Sequence, residues 1–179
     1  EGEADTIDWV TSAAGAAIAR IDQQQRTKSI DILAADENGK SFNKIGEIDG
    51  DLVEAEKIRF LGQGYAPRTI QVLKGAGDGA RLYEYNLDTG DFGAPTDTPG
   101  PVTHALYDPR EARVRIVYVA SSAGEAPYHL DASDRKAKAS LEKALAGASV
   151  TIASKSVDGA RMIIRADYAD KPEEYYFYD

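Results

Sequence analysis

His104 and His129 are the two imidazoles of this chain, and imidazole is the side chain whose charge changes most readily near neutral pH. Neither has a partner at catalytic or metal-ligating spacing, and a zinc site needs three or four converging ligands. Each reads better as a strand or turn residue with a local hydrogen bond. With no cysteine in the sequence, thiolate ligands, thiol nucleophiles and disulfides are all excluded. The acidic turn Asp88 to Asp91 and the pair Glu173-Glu174 supply oxygens of the kind calcium takes. Asp88-Thr89-Gly90-Asp91 lacks the other ligands and the terminal Glu of an EF-hand loop, so both groups read better as solvated turn acids. Gly62-Gln63-Gly64 lacks the third glycine and the following helix of a dinucleotide-binding turn. The sequence holds no G-x-S-x-G elbow, no P-loop and no H-E-x-x-H pair. It therefore assigns no catalytic, cofactor-binding or metal-ligating residue and calls for no cofactor. Trp9 and the ten tyrosines could line a ligand groove, but Tyr83/Tyr85 and Tyr176/Tyr178, alternating along strand-like runs, read better as sheet packing.

The elements that would position these residues are short β-type runs between turn residues. They include Ile7–Val10, Ala17–Ile21, Ser29–Ala34, Phe42–Ile48, Lys57–Leu61, Thr69–Leu73, Ala80–Leu87, Ala105–Tyr107, Val114–Val119, Ser149–Ser154 and Arg161–Ala166. A last run, Glu174–Asp179, closes the chain. Asp36-Glu37-Asn38-Gly39, Asp49-Gly50 and Asp88-Thr89-Gly90 are turn signals. Strands at this spacing predict an all-β sandwich, barrel or propeller. Gly77–Tyr83 and Val157–Ile163 are near copies, each an Asp-Gly turn, then Ala-Arg, then an apolar strand. A weak repeat of roughly 40–50 residues in all-β sequence favours four-stranded propeller blades. One segment breaks the rhythm. Residues 133–146 read as a helix capped by Ser133 or Asp134. Ala137, Leu141, Ala144 and Leu145 make up its apolar face, and Gly147 ends it.

A net charge of −9 repels phosphate backbones and anionic lipid, which disfavours nucleic acid and membrane surfaces as partners. No apolar run approaches the roughly 18–20 residues of a membrane helix. The first residue is Glu1 rather than methionine, which reads as a trimmed or processed start.

The order of segments from Tyr107-Asp108-Pro109-Arg110 onward carries a resemblance. It runs through Tyr128-His129-Leu130-Asp131, the helix, and Val150–Arg161 to Lys171-Pro172-Glu173-Glu174-Tyr175-Tyr176-Phe177-Tyr178-Asp179. Leu82–Gly90 matches a blade edge of the same type, and Trp9-Val10-Thr11 fits more loosely. This order resembles the N-terminal β-propeller of bacterial prolyl oligopeptidase-family serine peptidases, in their acylaminoacyl-peptidase and dipeptidyl-peptidase branches. The resemblance implies that residues 1–179 form a partial all-β propeller of about three to four blades, with the short helix near 133–146. It implies a non-catalytic segment that gates peptide access to an α/β-hydrolase domain elsewhere in the parent chain. It also implies peptide substrates, a periplasmic or secreted location with cytoplasm as the alternative, and self-association through open blade edges. No position here matches the family's catalytic motif, so no catalytic residue transfers. The alternatives are a stand-alone β-rich peptide- or ligand-binding module and a small sandwich or barrel unrelated to enzymes.

Overall fold

The computed structural model describes residues 3–156 and 158–179. Val157, in the second copy of the Asp-Gly repeat, and Glu1 lie outside the described residues. The chain divides into two compact units, Glu1–Ala126 and Pro127–Asp179. Both are built of antiparallel meanders in which neighbouring strands are also neighbours in sequence, so the all-β expectation holds. Among the described residues no helix is long and apolar enough to cross a membrane.

In the first unit, β1 (Thr6–Thr11), β2 (Ala17–Gln23), β3 (Ile30–Ala35) and β4 (Phe42–Ile48) form a four-stranded sheet in that order. Residues 42–48 match the run read from sequence. A short helix, α1 (Gly50–Glu56), then follows where Asp49-Gly50 reads as a simple turn. Asp49 is its cap: its carboxylate accepts the amides of Asp51 at 2.9 Å and Leu52 at 3.4 Å. An Asp-Gly pair serves a turn and a helix start equally well, which is why local sequence does not separate the two. The second sheet is β5 (Arg59–Gln63), β6 (Thr69–Lys74) and β7 (Arg81–Asn86). The chain returns along the free edge of β7: the Asn86 amide donates to Asp91 O (2.9 Å), Gly93 to Glu84 O (2.8 Å) and Thr96 to Leu82 O (2.7 Å). The third sheet holds β8 (Val102–Asp108), β9 (Arg113–Ser121) and β10 (Gly124–His129) in the order β10-β9-β8. The boundary between the units falls within β10.

Period-two alternation gives every strand two faces, and β3 and β6 bury both. Ile21, Ile32, Ala19 and Ala34 of the first sheet meet Ile70, Val72 and Tyr85 of the second, with Leu87 just past β7, in one apolar core. Gly46 of β4 lies against the Tyr85 hydroxyl so closely that a Cβ there would sit 1.9 Å from it. The opposite face of β6 carries Gln71, which is 1% exposed. Its Nε2 donates to Val114 O at 3.0 Å, and its Oε1 accepts the Val114 amide at 2.6 Å. One side-chain amide thus satisfies both polar groups of a buried β9 residue as a neighbouring strand would.

In the second unit, β11 (Ala148–Lys155), β12 (Met162–Tyr168) and β13 (Glu174–Tyr178) form a sheet. Helix α2 (Ala132–Ala144) packs Ala137 and Leu141, with Leu145 just beyond its end, onto Val150, Ile152 and Ile164. Ala144 is exposed and lies off this face. The cap is Asp131, upstream of both Ser133 and Asp134, and its carboxylate accepts their amides at 2.7 and 3.2 Å. The two Asp-Gly copies differ in the backbone. Gly77–Gly79 is a 3-10 turn whose left-handed residue is Gly77 (φ 52°), whereas after Asp158 it is Gly159 (φ 75°).

Gln71→Leu keeps the bulk, strands the Val114 amide in the interior and leaves its carbonyl only the Tyr65 hydroxyl at 3.4 Å, so it should lower stability by about 1–3 kcal/mol in urea unfolding. Gly46→Ala should cost about 3 kcal/mol by overpacking. The loss should be smaller in a Tyr85→Phe background, where the opposing oxygen is gone; the double-mutant cycle measures that coupling.

Candidate functional site

Among the described residues, those singled out from sequence keep local partners within their own unit. His104 lies on β8, stacked on Tyr118 of β9 (centroids 4.1 Å apart, planes at 15°), with Nδ1 3.7 Å from Glu125 of β10 and 3.3 Å from the Thr103 hydroxyl. His129 is buried at the end of β10. Each therefore belongs to its own strand environment. Asp88 pairs with Arg68, and Asp91 is tied into the hairpin through its backbone carbonyl. Glu174 pairs with Lys171 at 2.8 Å and accepts the Tyr176 hydroxyl, while Glu173 accepts the Tyr175 hydroxyl at 3.3 Å. Among the described residues no group of three or more His, Asp and Glu side chains has metal-binding geometry.

The aromatic residues divide. Tyr85 is buried and packs edge-on against Phe92 at 5.0 Å; burial, and secondarily the Asp91 charge, pushes its phenol up. Tyr83 meets the same Phe92 ring at 5.9 Å. This pair packs as the sequence predicts. The β13 tyrosines do not: Tyr175, Tyr176 and Tyr178 are exposed, as is Phe177. Strand β13 is the outer strand of its sheet and has β12 for its neighbour, so alternation there reports β propensity without burial. The Glu174 carboxylate, first, and Tyr168, second, raise the Tyr176 phenol. Trp9 lies edge-on to Phe42 at 5.2 Å, and Arg20 sits 5.8 Å over that Phe42 ring. Beneath them Asp22 accepts the Thr6 hydroxyl and the Arg20 guanidinium, each at 2.8 Å.

The strongest convergence involves three hairpin turns at one end of the first unit. The Ala13 amide donates to Gln63 Oε1 at 3.2 Å, and the Gln63 amide to Ala112 O at 2.7 Å. The Tyr65 hydroxyl donates to Val114 O at 3.4 Å, and the Arg113 guanidinium lies 5.0 Å over the Tyr65 ring. Two positions make this approach feasible. Gly62 is a strand residue at φ 148° where a Cβ would come within 2.6 Å of Ala112 O, and Ala112 itself is left-handed at φ 51°. The β5–β6 turn is shaped by Glu84, whose carboxylate accepts the Tyr65 amide at 2.6 Å, the Ala66 amide at 3.3 Å and the Thr69 hydroxyl at 3.0 Å. Across the rim, Arg115 pairs with Glu111 (3.0 Å) and Asp108 (3.7 Å), and Arg113 with Glu111 (3.6 Å). Tyr65, Leu106 and Tyr107 stay exposed beside them. Exposed rings set among rigidly held arginines suit contact with a peptide or other amphipathic chain. The charged groups of the rim already hold one another in ion pairs. Sequence reading missed the rim because its members come from turns about fifty residues apart. The left-handed Ala112 leaves no trace in composition.

No protein-family model matches the chain, and no curated protein matches it.

In the second unit a buried ion pair fixes the start of α2: Lys155 Nζ lies 2.6 Å from Asp134, whose side chain is 3% exposed. Arg135 adds bonds to the carbonyls of His129 (2.9 Å) and Leu130 (2.7 Å). Lys155→Ala should leave the Asp134 charge buried without this partner and cost about 3 kcal/mol, read as a lowered urea midpoint. Asp131 gives a pH signature. The Ser133 hydroxyl, with the Asp134 and Ser133 amides, holds its carboxyl below the usual range against an opposing effect of burial. A depressed folded-state value adds stability above the unfolded value of about 3.9, and that stability is lost as pH falls through the folded value. Asp131→Asn, which still caps, should flatten the acid-side loss of stability below about pH 4 while changing the urea midpoint little at pH 7.

Proposed function

We propose that this chain is a propeller segment of a prolyl oligopeptidase-family serine peptidase. In this reading it is non-catalytic and gates peptide access to an α/β-hydrolase domain of the parent protein. The observation that carries the reading is the succession of antiparallel meanders, each folding strand by strand in sequence order, the arrangement expected of successive blades. The buried bridge from Gln71 to Val114 adds support, since blades of a propeller must satisfy polar groups across their packed faces. The rim around Tyr65, Leu106 and Tyr107 is the surface from which a peptide would be admitted or held. Peptide substrates, the hydrolase domain as partner, and a periplasmic or secreted location belong to the same proposal.

The exposed rim also suits the second reading, a peptide-binding module acting alone. One experiment separates the two. The intact native product is isolated, its mass measured, and it is treated with a fluorophosphonate probe that labels active serine hydrolases. A product several times longer than 179 residues that takes the label, while the 179-residue chain does not, is the expected result. A native product of this length that takes no label overturns the peptidase reading and leaves the binding module.

A further inference from the structure

We propose that Asn38 is a site of spontaneous deamidation, converting the β3–β4 turn to an aspartate- or isoaspartate-containing form. The reaction needs an electrophilic side-chain amide, a following backbone nitrogen able to reach it, and little steric bulk between them. Asn38 is followed by Gly39, and both are exposed at the tip of the turn. A Cβ at Gly39 would meet nothing within 4 Å, so its surroundings leave the tip room to move. Glycine at φ 66° also crosses freely between backbone regions closed to other residues. Among the described residues no hydrogen bond holds the Asn38 side chain.

Comparable positions in the fold lack this combination. Asn86 spends its Oδ1 on the amides of Asp88 (2.7 Å) and Thr89 (3.1 Å) and precedes leucine. Asn43 lies within β4 and precedes lysine. Asp49 and Asp158 precede glycine, but Asp49 caps α1 and Asp158 accepts the Ser156 hydroxyl and the Ala160 amide. Asp78 precedes Gly79, yet an ionised carboxylate is a far poorer electrophile than a neutral amide. The chemistry therefore singles out Asn38.

In the reaction, Gly39 N attacks Asn38 Cγ. The new N–Cγ bond closes a five-membered succinimide, the Cγ–Nδ2 bond breaks, and ammonia leaves with the proton from the attacking amide. Water then opens the ring at Cγ to give aspartate, or at the Asn38 main-chain carbonyl carbon to give isoaspartate. The second product routes the backbone through an additional methylene and adds a carboxylate beside Asp36 and Glu37. The structure supplies one brake. Gly39 N donates to Asp36 O at 3.0 Å, and the base of the turn is pinned by the Asp36 carboxylate on Lys40 N and on the Ser41 hydroxyl, each at 2.9 Å. Attack proceeds when the tip opens from that base.

The test exploits trypsin sites that put the three asparagines in separate peptides: Ser29–Lys40, Ser41–Lys44 and Leu82–Arg110. The folded chain is aged at mildly alkaline pH, digested, and read by mass spectrometry with chromatographic separation of aspartyl and isoaspartyl forms. The urea-unfolded chain and an Asn38→Gln variant run beside it. The expected result is conversion of Ser29–Lys40 an order of magnitude faster than of either other peptide, with an isoaspartyl product, and no conversion of that peptide in the variant. Conversion of Ser29–Lys40 no faster than the other two would overturn the proposal. So would conversion at Asn38 in the unfolded chain alone, because the turn would then protect the site.

Discussion

The first unit depends on a side chain imitating a strand. At the centre of β6, Gln71 has its backbone committed to β5 and β7 and its amide committed to Val114. A buried peptide group must find partners, and β9 finds them here across the gap between sheets. The amide reaches only if the β8–β9 hairpin comes close. That closeness explains Gly62, where any side chain would strike Ala112 O, and the left-handed turn at Ala112. The aromatic and arginine rim is the visible end of this packing. Tyr65 and Arg113 meet where the Gln71–Val114 bridge holds their hairpins together.

Burial on both faces changes what a strand must look like. In β3, Ile30, Ile32 and Ala34 enter the shared core, while Asp31, Leu33 and Ala35 are buried on the other side. The acid is tolerated because Lys44, at 2.7 Å, and Gln24, at 2.9 Å, meet its carboxylate. The same device recurs in the second unit, where Lys155 meets Asp134. Elsewhere acids pair nearer the surface, as Glu47 does with Lys44 and Glu142 with Lys138.

The strands were largely readable because alternation survives wherever one face is polar. Phe42–Ile48 matches its strand residue for residue, and Thr69–Leu73 falls one residue short. Sequence reading failed where one local signal serves two structures. Asp49-Gly50 looks like a turn and caps a helix. Gly124–His129 carries a glycine and a proline and still pairs as β10. Ser133 and Asp134 both look like caps, yet Asp131 takes the role by accepting both amides. The rim was illegible for another reason. Its contacts join Ala13 to Gln63 and Tyr65 to Val114, and no local pattern records a meeting of distant turns.

Because every sheet is a meander of sequence neighbours, most of the native pairing closes short loops and has low contact order. Individual hairpins can zip without waiting for distant segments. The Gln71–Val114 bridge spans 43 residues and carries a larger loop-closure entropy. It should therefore form late, after the transition state, and act chiefly as a latch on the escape rate of the native state.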